Sequence, residues 1–235
     1  MEKGRFHRLA ILVGDEAVQR LSVARVLVFG TGGVGSWCVE GLVRSGIGHV
    51  TIVDPDVVAL SNLNRQLMAL DSTLGRPKVE VLRERMLDIN PGVSVNAVRK
   101  RFSAETAEEF DLDSFDFVVD AIDSLKDKAE LILRASASKA VFISSMGAAL
   151  KMDPSKVRVA EFWQVRGCPL GAALRKRFRQ RKTFPVKDFR CVYDEEVLPM
   201  KVEQDACDRV NGSAVPVTAI FGFTIAGLIL GDIAR

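Results

Sequence analysis

The sequence is poor in cysteine, and no two cysteines stand close together. The 235 residues contain no C-x-x-C pair, and the four cysteines are Cys38, Cys168, Cys191 and Cys207. Secreted scaffolds that depend on disulfides are much smaller and richer in cysteine. The N-terminal stretch "LAILVG" is too short for the apolar core of a signal peptide and has no cleavage site. We therefore expect a reduced, cytoplasmic protein.

A large net charge and a boundary between domains are missing as well. Lysine and arginine number 33 against 30 aspartates and glutamates, so the positions of the charges, rather than their sum, must indicate partners. No Gly/Ser-rich linker, internal repeat or low-complexity tract divides the chain. Its length suits one large α/β domain or two small ones. We predict a single domain over residues 1–235, with a nucleotide-binding part of about 1–150 and a substrate-binding elaboration of about 151–235.

Charged residues are also missing from positions 211–231. This segment includes "AVPVTAIFGFTIAGLILG", which approaches the length that spans a bilayer. Pro216 and three glycines make it only moderately apolar, and no second segment of this kind accompanies it. A helix buried on all sides inside the domain is the simpler interpretation. Membrane association through this segment is the alternative.

Short apolar runs alternate with longer mixed stretches, which is typical of a parallel sheet covered by helices on both faces. The predicted strands are "RVLVFG" (25–30), "HVTIVD" (49–54), "VSVNAV" (93–98), "FDFVVDA" (115–121) and "AVFISS" (140–145). The predicted helices cover about 33–45, 78–89, 104–110 and 125–138. The fold class is α/β, a doubly wound, mainly parallel, Rossmann-like sheet with a C-terminal elaboration. Such sheets bind ligands beyond the C-terminal ends of their strands.

The stretch "GTGGVG" follows the first predicted strand and opens a predicted helix. Gly30, Gly32 and Gly35 satisfy the dinucleotide-binding pattern G-x-G-x-x-G, and Gly33 adds a fourth glycine. Glycine lets the backbone approach a phosphate closely, and the helix N-terminus attracts the anion. Asp54 ends the next strand, where a carboxylate can accept hydrogen bonds from ribose hydroxyls. Taken alone, this pattern favours a nicotinamide or flavin enzyme.

The polar residues that follow favour a triphosphate instead. The segment "DPDVVALSNLNRQ" brings five of them to the sheet edge: Asp56, Asn62, Asn64, Arg65 and Gln66. Lys78 begins a predicted helix, where a cation opposes the helix dipole, and a nearby phosphate would explain it. Asp120 and Asp123 of "DAIDS" meet the same edge, which implies Mg²⁺ between these carboxylates and the phosphates. As an alternative, Asp123 could cap the helix that follows.

In this order, the motifs G-x-G-G-x-G-S, "IVDPD", "SNLNRQ", "GRPK" and "DAIDS" resemble the ubiquitin-activating-enzyme-like (HesA/MoeB/ThiF) superfamily of adenylating proteins. The resemblance implies ATP and Mg²⁺ as cofactors, and attack of a substrate carboxylate on the α-phosphorus of ATP. It implies that Asp54 holds the ribose and that Asp123 binds Mg²⁺. It also implies four residues in contact with the phosphates: Asn62, Arg65, Gln66 and Lys78.

The same resemblance implies a homodimer. Members of the superfamily insert an arginine into the site of the partner subunit, and Arg8 in "RFHR" matches that arginine, although Arg5 stands close by. The implied catalytic residues are therefore Arg8, Arg65, Lys78 and Asp123.

Within the superfamily, the chain resembles the branch of tRNA threonylcarbamoyladenosine dehydratases. The stretches that carry this resemblance are "GVGSW", "RSGIGHVTIVD", "LRKRF", "CVYDEE" and "TAIFGFTIAGLIL". It implies adenylation of the carboxylate of threonylcarbamoyladenosine beside the anticodon, followed by displacement of AMP by the carbamoyl nitrogen and cyclisation. Sulfur-carrier activators usually have two C-x-x-C pairs for a structural zinc, so we expect no structural zinc here. An activator of a ubiquitin-like sulfur carrier, a nicotinamide-dependent oxidoreductase and a non-catalytic nucleotide-binding adaptor stay open as alternatives.

A basic segment supports a tRNA partner independently. Residues 175–190 contain eight cations and one acid, Asp188, and such a concentration of positive charge suits a phosphate backbone. Phe178 and Phe184 could stack on unpaired bases or anchor the segment to the core. A solvated basic helix without a partner is the alternative, and no DNA partner is expected. The residues predicted to bind tRNA are Arg175, Lys176, Arg177, Arg179, Arg181 and Lys182.

Two cysteines resemble positions at which this branch often carries cysteine, namely Cys191 and Cys207. Adenylation and ring closure need no thiol, so a buried cysteine that acts as a small apolar residue is the favoured interpretation. The alternative is a catalytic or persulfide-carrying role, with a cysteine desulfurase or a sulfur-acceptor protein as partner.

Overall fold

A seven-stranded sheet forms the centre of the computed structural model, which describes residues 4–202 and 210–235. The spatial order of the strands is β3-β2-β1-β4-β5-β7-β6, and all neighbours are parallel except β6 and β7. The predicted doubly wound, mainly parallel sheet is confirmed. The strands are β1 (Arg25–Phe29), β2 (His49–Val53), β3 (Ser94–Val98), β4 (Phe117–Asp120), β5 (Val141–Ser145), β6 (Arg158–Glu161) and β7 (Arg190–Tyr193).

Helices cover both faces of this sheet. They are α1 (His7–Val13), α2 (Asp15–Val23), α3 (Gly35–Arg44), α4 (Lys78–Ile89), α5 (Leu125–Ala137), α6 (Pro169–Arg181) and α7 (Val215–Ala234). The helix expected over 104–110 is only a single 3-10 turn, Ala107–Glu109. Thr106 explains the difference, because its hydroxyl accepts a hydrogen bond from the amide of Ser103 and donates one to the carbonyl of Arg101. These local bonds favour a turn over a helix.

The core lies in two layers, one on each face of the sheet. In β1, Val26 and Val28 face the layer that contains α3, α4 and α7, whereas Leu27 and Phe29 face the layer that contains α5 and α6. Side chains alternate in this way because successive residues of a strand point to opposite faces. The central strands are therefore buried on both sides, as a parallel sheet requires.

Helix α7 is buried on one face only, so the expectation of burial on all sides was wrong. Phe221 and Ile225 are fully buried, while Ile220 and Phe223 are 40% and 41% exposed. The helix packs beside α3 against β5 and β7 of the sheet, and its opposite face is directed outward. By length and composition it is the one helix of the described residues that could cross a membrane.

Close packing between α7 and α3 depends on glycine. A Cβ on Gly222 of α7 would come within 2.5 Å of the carbonyl oxygen of Val34, and a Cβ on Gly41 of α3 within 2.9 Å of the Cβ of Ala226. The two helices therefore approach each other more closely than larger side chains would allow. This contact fixes α7 beside the glycine-rich loop that precedes α3.

Residues after 150 extend the same sheet through β7 and β6. Glu196, which follows β7, holds the chain after β5: its carboxylate accepts hydrogen bonds from the amides of Met152 (2.6 Å) and Asp153 (3.1 Å) and from the ammonium of Lys156 (2.7 Å). The hydrogen bond from Lys156 and those from the two amides lower the pKa of Glu196 to about 2. Two segments of the elaboration, the one before β6 and the one after β7, are thereby tied together.

Candidate active site

A cavity of about 690 Å³ opens at the C-terminal ends of β1, β2, β4 and β5. It lies where the strand order reverses between β1 and β4, the usual position of a ligand in a doubly wound sheet. The predicted site residues that line it are Gly30, Gly32, Gly33, Asp54, Asp56, Asn62, Arg65, Gln66, Lys78 and Asp123. The structure thus brings together ten residues that are dispersed over more than ninety positions of the sequence.

The glycine-rich loop forms one wall of the cavity, and its glycines have different tasks. Gly30 has a φ of +85°, and a Cβ there would lie 2.6 Å from the carbonyl oxygen of Ala121. A Cβ on Gly35 would lie 1.8 Å from the carbonyl oxygen of Gly30, so Gly35 serves packing and does not line the cavity. A Cβ on Gly32 would instead meet open space, and the one described atom within 4 Å of it would be the side-chain amide nitrogen of Gln66, at 3.7 Å. That space, at the start of α3, suits a phosphate.

Asp54 fixes the shape of the loop. Its buried carboxylate accepts a hydrogen bond from the amide of Thr31 (2.7 Å) and another from the amide of Asp56 (2.9 Å). A carboxylate has about four acceptor positions. Asp54 can therefore hold the glycine-rich loop and still accept hydrogen bonds from a ribose.

Lys78 has an anionic partner within the protein. Its ammonium lies 2.9 Å from a carboxylate oxygen of Asp56, and its amide donates to the carbonyl of the same residue (3.0 Å). The Lys78 side chain is almost fully buried, whereas that of Asp56 is 62% exposed. A phosphate is therefore not required to explain a lysine at the start of α4. Asp56 keeps the ammonium at the cavity wall, where an incoming phosphate can share it.

The "SNLNRQ" turn lies over the glycine-rich loop, and α3 holds it there. The indole N–H of Trp37 donates to the carbonyl of Arg65 (3.0 Å), and the hydroxyl of Ser36 accepts a hydrogen bond from the amide of Leu67 (3.3 Å). The guanidinium of Arg65 bonds the carbonyl oxygen of Ser61 (2.8 Å) and, at 2.9 Å, the side-chain oxygen of the adjacent Asn64. Among the described residues, the Arg65 guanidinium at the cavity thus bonds only neutral oxygens.

Two amide side chains of this turn are buried at the cavity. The side-chain oxygen of Asn62 accepts a hydrogen bond from the amide of Ala59 (3.0 Å), which orients its NH₂ group. The side-chain oxygen of Gln66 is buried and has no hydrogen-bond partner among the described residues, and the same holds for the hydroxyl of Thr31. Unpaired buried polar atoms beside a phosphate loop are what a ligand would satisfy.

The two carboxylates of "DAIDS" have different environments. Asp120 is fully buried, lies 2.7 Å from the ammonium of Lys128 and accepts a hydrogen bond from the hydroxyl of Ser144 (2.7 Å). This carboxylate is neutralised inside the protein, so the expectation that both aspartates face the metal was wrong for Asp120. Asp123 is exposed in the cavity and, among residues 4–202 and 210–235, no side chain or amide bonds its carboxylate.

Asp123 does not cap the following helix. Ser124 occupies the N-cap of α5, and its hydroxyl accepts a hydrogen bond from the amide of Asp127. Lys128, one turn further, donates to the carbonyl of Ile122 (2.8 Å) and so fixes the peptide segment that carries Asp123. The alternative role of Asp123 as a helix cap is thereby excluded.

Several lining residues were missed by the sequence analysis. Lys100 and Arg101 follow β3 at the same sheet edge, and the basic run "RKR" directly after a strand was a usable signal. Arg101 forms an ion pair with the buried carboxylate of Asp127 (2.6 Å), which raises the pKa of Arg101. Thr218 of α7 and Leu170 of α6 also line the cavity, and no local sequence pattern predicts that they do.

Other predicted residues lie outside the cavity. Arg8 is exposed on α1, and no residue of the described ranges pairs with it, whereas Arg5 donates to the carbonyl of Ile89 in its own chain. Cys191 is fully buried in β7, and burial raises the pKa of its thiol. A protonated, inaccessible thiol fits the interpretation as an apolar residue. Cys207 lies outside the described residues.

Helix α6 begins at the cavity, where Leu170 lines it, and carries five of the six predicted tRNA-binding cations along its length, while the sixth, Lys182, is its C-cap. Phe178 is 1% exposed and packs against Phe162, so it anchors the helix to the core. Phe184, which follows the helix, is 51% exposed. None of the six cations predicted to bind tRNA forms an ion pair with a described residue.

Comparison with known proteins agrees with this geometry. The sequence profile of the ThiF family matches residues 6–231. The chain belongs to the ThiF family. It is 34% identical to the tRNA threonylcarbamoyladenosine dehydratase of Bacillus subtilis over 235 residues, which cover 97% of this chain and 91% of that protein.

Other ThiF-family relatives match over different extents. The crystal structure of E. coli tRNA N6-threonylcarbamoyladenosine dehydratase in complex with ATP has a TM-score of 0.88 and 34% sequence identity to this chain, and the match covers 97% of this chain and 93% of that one. The molybdopterin-synthase adenylyltransferase of Haemophilus influenzae is 32% identical, over 76% of this chain and 72% of that protein. The matches to the dehydratases thus cover more of this chain than the match to the adenylyltransferase.

Proposed function

We propose that this protein uses ATP to adenylate the carboxylate of threonylcarbamoyladenosine in tRNA and cyclises the nucleoside with net loss of water. The observation that carries the proposal is that a nucleotide-sized cavity and a cationic helix adjoin each other. The cavity combines a glycine-rich loop with Asp54, Arg65 and Lys78, and the cationic helix α6 begins at its rim. The near full-length match to tRNA threonylcarbamoyladenosine dehydratases supports the same reaction.

The first step needs alignment and charge stabilisation, and no protein nucleophile. A carboxylate oxygen of the substrate attacks the α-phosphorus of ATP, the bond to the β-phosphate oxygen breaks, and pyrophosphate leaves. The amides of the loop and the donors of Asn62, Arg65 and Lys78 surround the space beside Gly32, where they would stabilise the developing charge. In the second step the carbamoyl nitrogen attacks the acyl carbon and loses its proton, and AMP leaves.

Asp123 is the residue that would hold Mg²⁺. Its carboxylate lines the cavity and has no hydrogen-bond partner in the part of the chain that the structure describes, and Mg²⁺ commonly takes one or two carboxylates together with the phosphates of its substrate. In the described part of the chain no group of three His, Cys, Asp or Glu side chains is arranged to hold a metal ion, which agrees with a metal that arrives with the nucleotide. The ion would supply electrostatic stabilisation of the phosphates.

A homodimer would complete the site. Arg8, Ile11 and Leu12 stand at positions i, i+3 and i+4 of α1 and therefore share one face. Ile11 and Leu12 are 74% and 81% exposed, and this combination of exposed apolar side chains and a free arginine suits contact with a second copy. We infer that Arg8 enters the cavity of the partner subunit.

The cytoplasm is the proposed location, since α7 uses one apolar face to pack on α3 and its other face can be covered within a dimer. A partner in sulfur transfer gains no support from the described residues. Cys191 is inaccessible, and adenylation with ring closure requires no thiol.

One reaction tests the proposal. The protein is incubated with ATP, Mg²⁺ and tRNA that carries threonylcarbamoyladenosine, and the nucleosides are analysed by mass spectrometry. We expect that nucleoside to lose the mass of one water, with release of AMP and pyrophosphate. Unchanged nucleoside together with normal ATP binding would overturn the proposal. Pyrophosphate exchange stimulated by a ubiquitin-like sulfur carrier, and not by tRNA, would favour the alternative activity.

A further inference from the structure

Beside α6, the surface exposes two aromatic rings under a guanidinium group. Trp163 is half-buried and lies 6.2 Å, between ring centroids, from the 51% exposed Phe184. The guanidinium carbon of Arg179 lies 5.9 Å from the centroid of the Trp163 ring. We call these three side chains the aromatic surface.

The core beneath holds the aromatic surface in place. Trp163 contacts the fully buried Phe162 edge to face, with centroids 5.1 Å apart and an interplanar angle of 68°. Phe162 in turn stacks on Phe189 at 5.1 Å. Because these rings fill the space below, Trp163 cannot turn inward to bury its exposed part. Rigid aromatic rings bind a flat partner at low cost in conformational entropy.

Uncompensated cations surround the aromatic surface. Burial, together with the nearby charges of Arg166 and Arg179, lowers the pKa of Arg175. Arg166 and Arg175 donate to the carbonyl oxygens of Trp163 and Phe162, which are neutral. In the described ranges no carboxylate pairs with any of these three arginines. Like charges are held together here without an internal anion, so an external anion is needed to balance them.

We propose that the aromatic surface stacks against an unpaired base of the RNA substrate, a base other than the one that reacts. The inference rests on the proposed function and deepens it. Leu170 lines the cavity and Arg179 stands nine residues further along α6, which corresponds to about 14 Å along the helix axis. A strand that follows α6, with its reacting nucleoside in the cavity, would therefore bring a neighbouring base over Trp163.

The chemistry of the aromatic surface favours a base over a peptide or a lipid. Single-stranded RNA is bound by aromatic rings and arginine planes that stack on bases, together with cations that track the phosphates. Trp163 and Phe184 supply the rings, and the arginines around them supply the cations. An apolar docking site for a protein would lack such a cluster of unpaired positive charges at its centre.

Intrinsic tryptophan fluorescence tests this proposal with the full-length protein. The probes are an RNA hairpin that carries an anticodon loop and an RNA duplex of equal length without a loop. We expect the hairpin to quench the wild-type emission and the duplex to leave it nearly unchanged. In Trp163→Leu the quenching should be lost, and hairpin affinity should fall about tenfold while its dependence on salt stays the same.

Three further variants separate stacking from a role in folding. Trp163→Phe keeps a ring and should recover most of the affinity. Phe184→Ala should weaken hairpin binding without unfolding, because this side chain is half exposed. Val186→Ala removes another exposed apolar side chain, 71% exposed, and should change nothing.

The possible failures are distinguishable. If Trp163→Leu and Phe184→Ala bind the hairpin as the wild type does, with the usual loss of affinity in salt, the stacking proposal is overturned while RNA binding by α6 survives. If the wild type binds neither RNA, the tRNA substrate itself is overturned.

Discussion

The nucleotide cavity and helix α6 differ in how their charges are balanced. At the cavity, the Asp54 carboxylate accepts hydrogen bonds from two backbone amides and Asp56 pairs with Lys78; behind the cavity wall, the buried Asp120 pairs with Lys128. Along α6 the cations have no carboxylate partner among the described residues. Both regions are expected to bind phosphates, yet only the first has its fixed charges compensated in advance.

This difference corresponds to two kinds of binding. A small nucleotide in a reacting geometry requires donors that do not reorganise, and paired charges within a folded wall provide them. An RNA backbone is bound by surface cations that displace the counterions condensed on the RNA phosphates, and internal ion pairs would weaken that effect. Among the described residues, two charged groups of the cavity lack an ionic partner, Arg65 and Asp123, and the unpaired carboxylate of Asp123 is where we propose that Mg²⁺ binds.

The largest effect is expected from breaking the buried pair of the cavity region. In Lys128→Met the carboxylate of Asp120 stays buried without its cation, so the free energy of unfolding should fall by about 3–5 kcal/mol. Urea denaturation measures the change. The control is the double variant Asp120→Asn/Lys128→Met, in which no buried charge is left unpaired and most of the loss should be recovered. Equal stability of Lys128→Met and wild type would contradict the account of this pair.

The two unpaired groups of the cavity, Asp123 and Arg65, should be the positions most sensitive for activity. Asp123→Ala should reduce turnover of modified tRNA by a factor of about 10² to 10³ without a change in thermal stability, because the side chain is exposed and bonds no other described residue. Arg65→Ala should have a similar effect. Steady-state assays together with thermal unfolding separate loss of function from loss of structure.

Mixing of inactive variants tests whether this site is shared between subunits. Arg8→Ala and Asp123→Ala should each be inactive alone. If Arg8 acts in the partner's site, refolding an equal mixture should restore about a quarter of the wild-type activity, since half of the dimers are mixed and each has one intact site. No recovery in such a mixture, with dimers present, would contradict a role of Arg8 across the interface.

The sequence was a good guide wherever a local rule determines structure. Helix α4 runs over 78–89 as expected, because Pro91 forbids its continuation, and the glycine-rich loop lies between β1 and α3. The family resemblance and the α/β fold are confirmed. The roles carried over to individual residues, such as Asp123 and Arg65, stay predictions.

Contacts between distant segments were not predictable. The two aspartates of "DAIDS" looked equivalent in the sequence, and only the position of Lys128 and Ser144 in space withdraws Asp120 from the cavity. Apolar composition also could not reveal that α7 has one exposed face. Phe178 and Phe184 looked alike as well, but only the second is accessible, and the ring beside it belongs to Trp163 from another part of the chain.

A smaller effect, on tRNA affinity, is expected from reversing the charge of cations on α6. Arg179 was placed in the aromatic surface, so the test uses Lys176→Glu, Arg177→Glu and Arg181→Glu together. tRNA affinity should fall at least tenfold, and each lost phosphate contact should lower the slope of log affinity against log salt by about 0.7–0.9. Pyrophosphate exchange measured at saturating tRNA should change little. An unchanged tRNA affinity would show that the unpaired cations do not serve RNA binding.

The smallest effect is expected at Glu196, and it tests whether charge compensation depends on the local contacts of a residue or on the region of the chain to which it belongs. Glu196 belongs to the elaboration, like α6, but its carboxylate is fully bonded, and its pKa is lowered from 4.5 to about 2. A lowered pKa in the folded state means that the stabilisation is present above pH 4.5 and is lost as the pH falls toward 2.

Glu196→Gln should therefore have a slightly lower Tm than the wild type at pH 6, and this difference should shrink at pH 3. Calorimetry at both values measures it, and a difference that grows on acidification would contradict the assignment. Since the side chain of Lys156 is 48% exposed, salt should also reduce the difference, whereas the fully buried pair of Asp120 and Lys128 should be insensitive to salt.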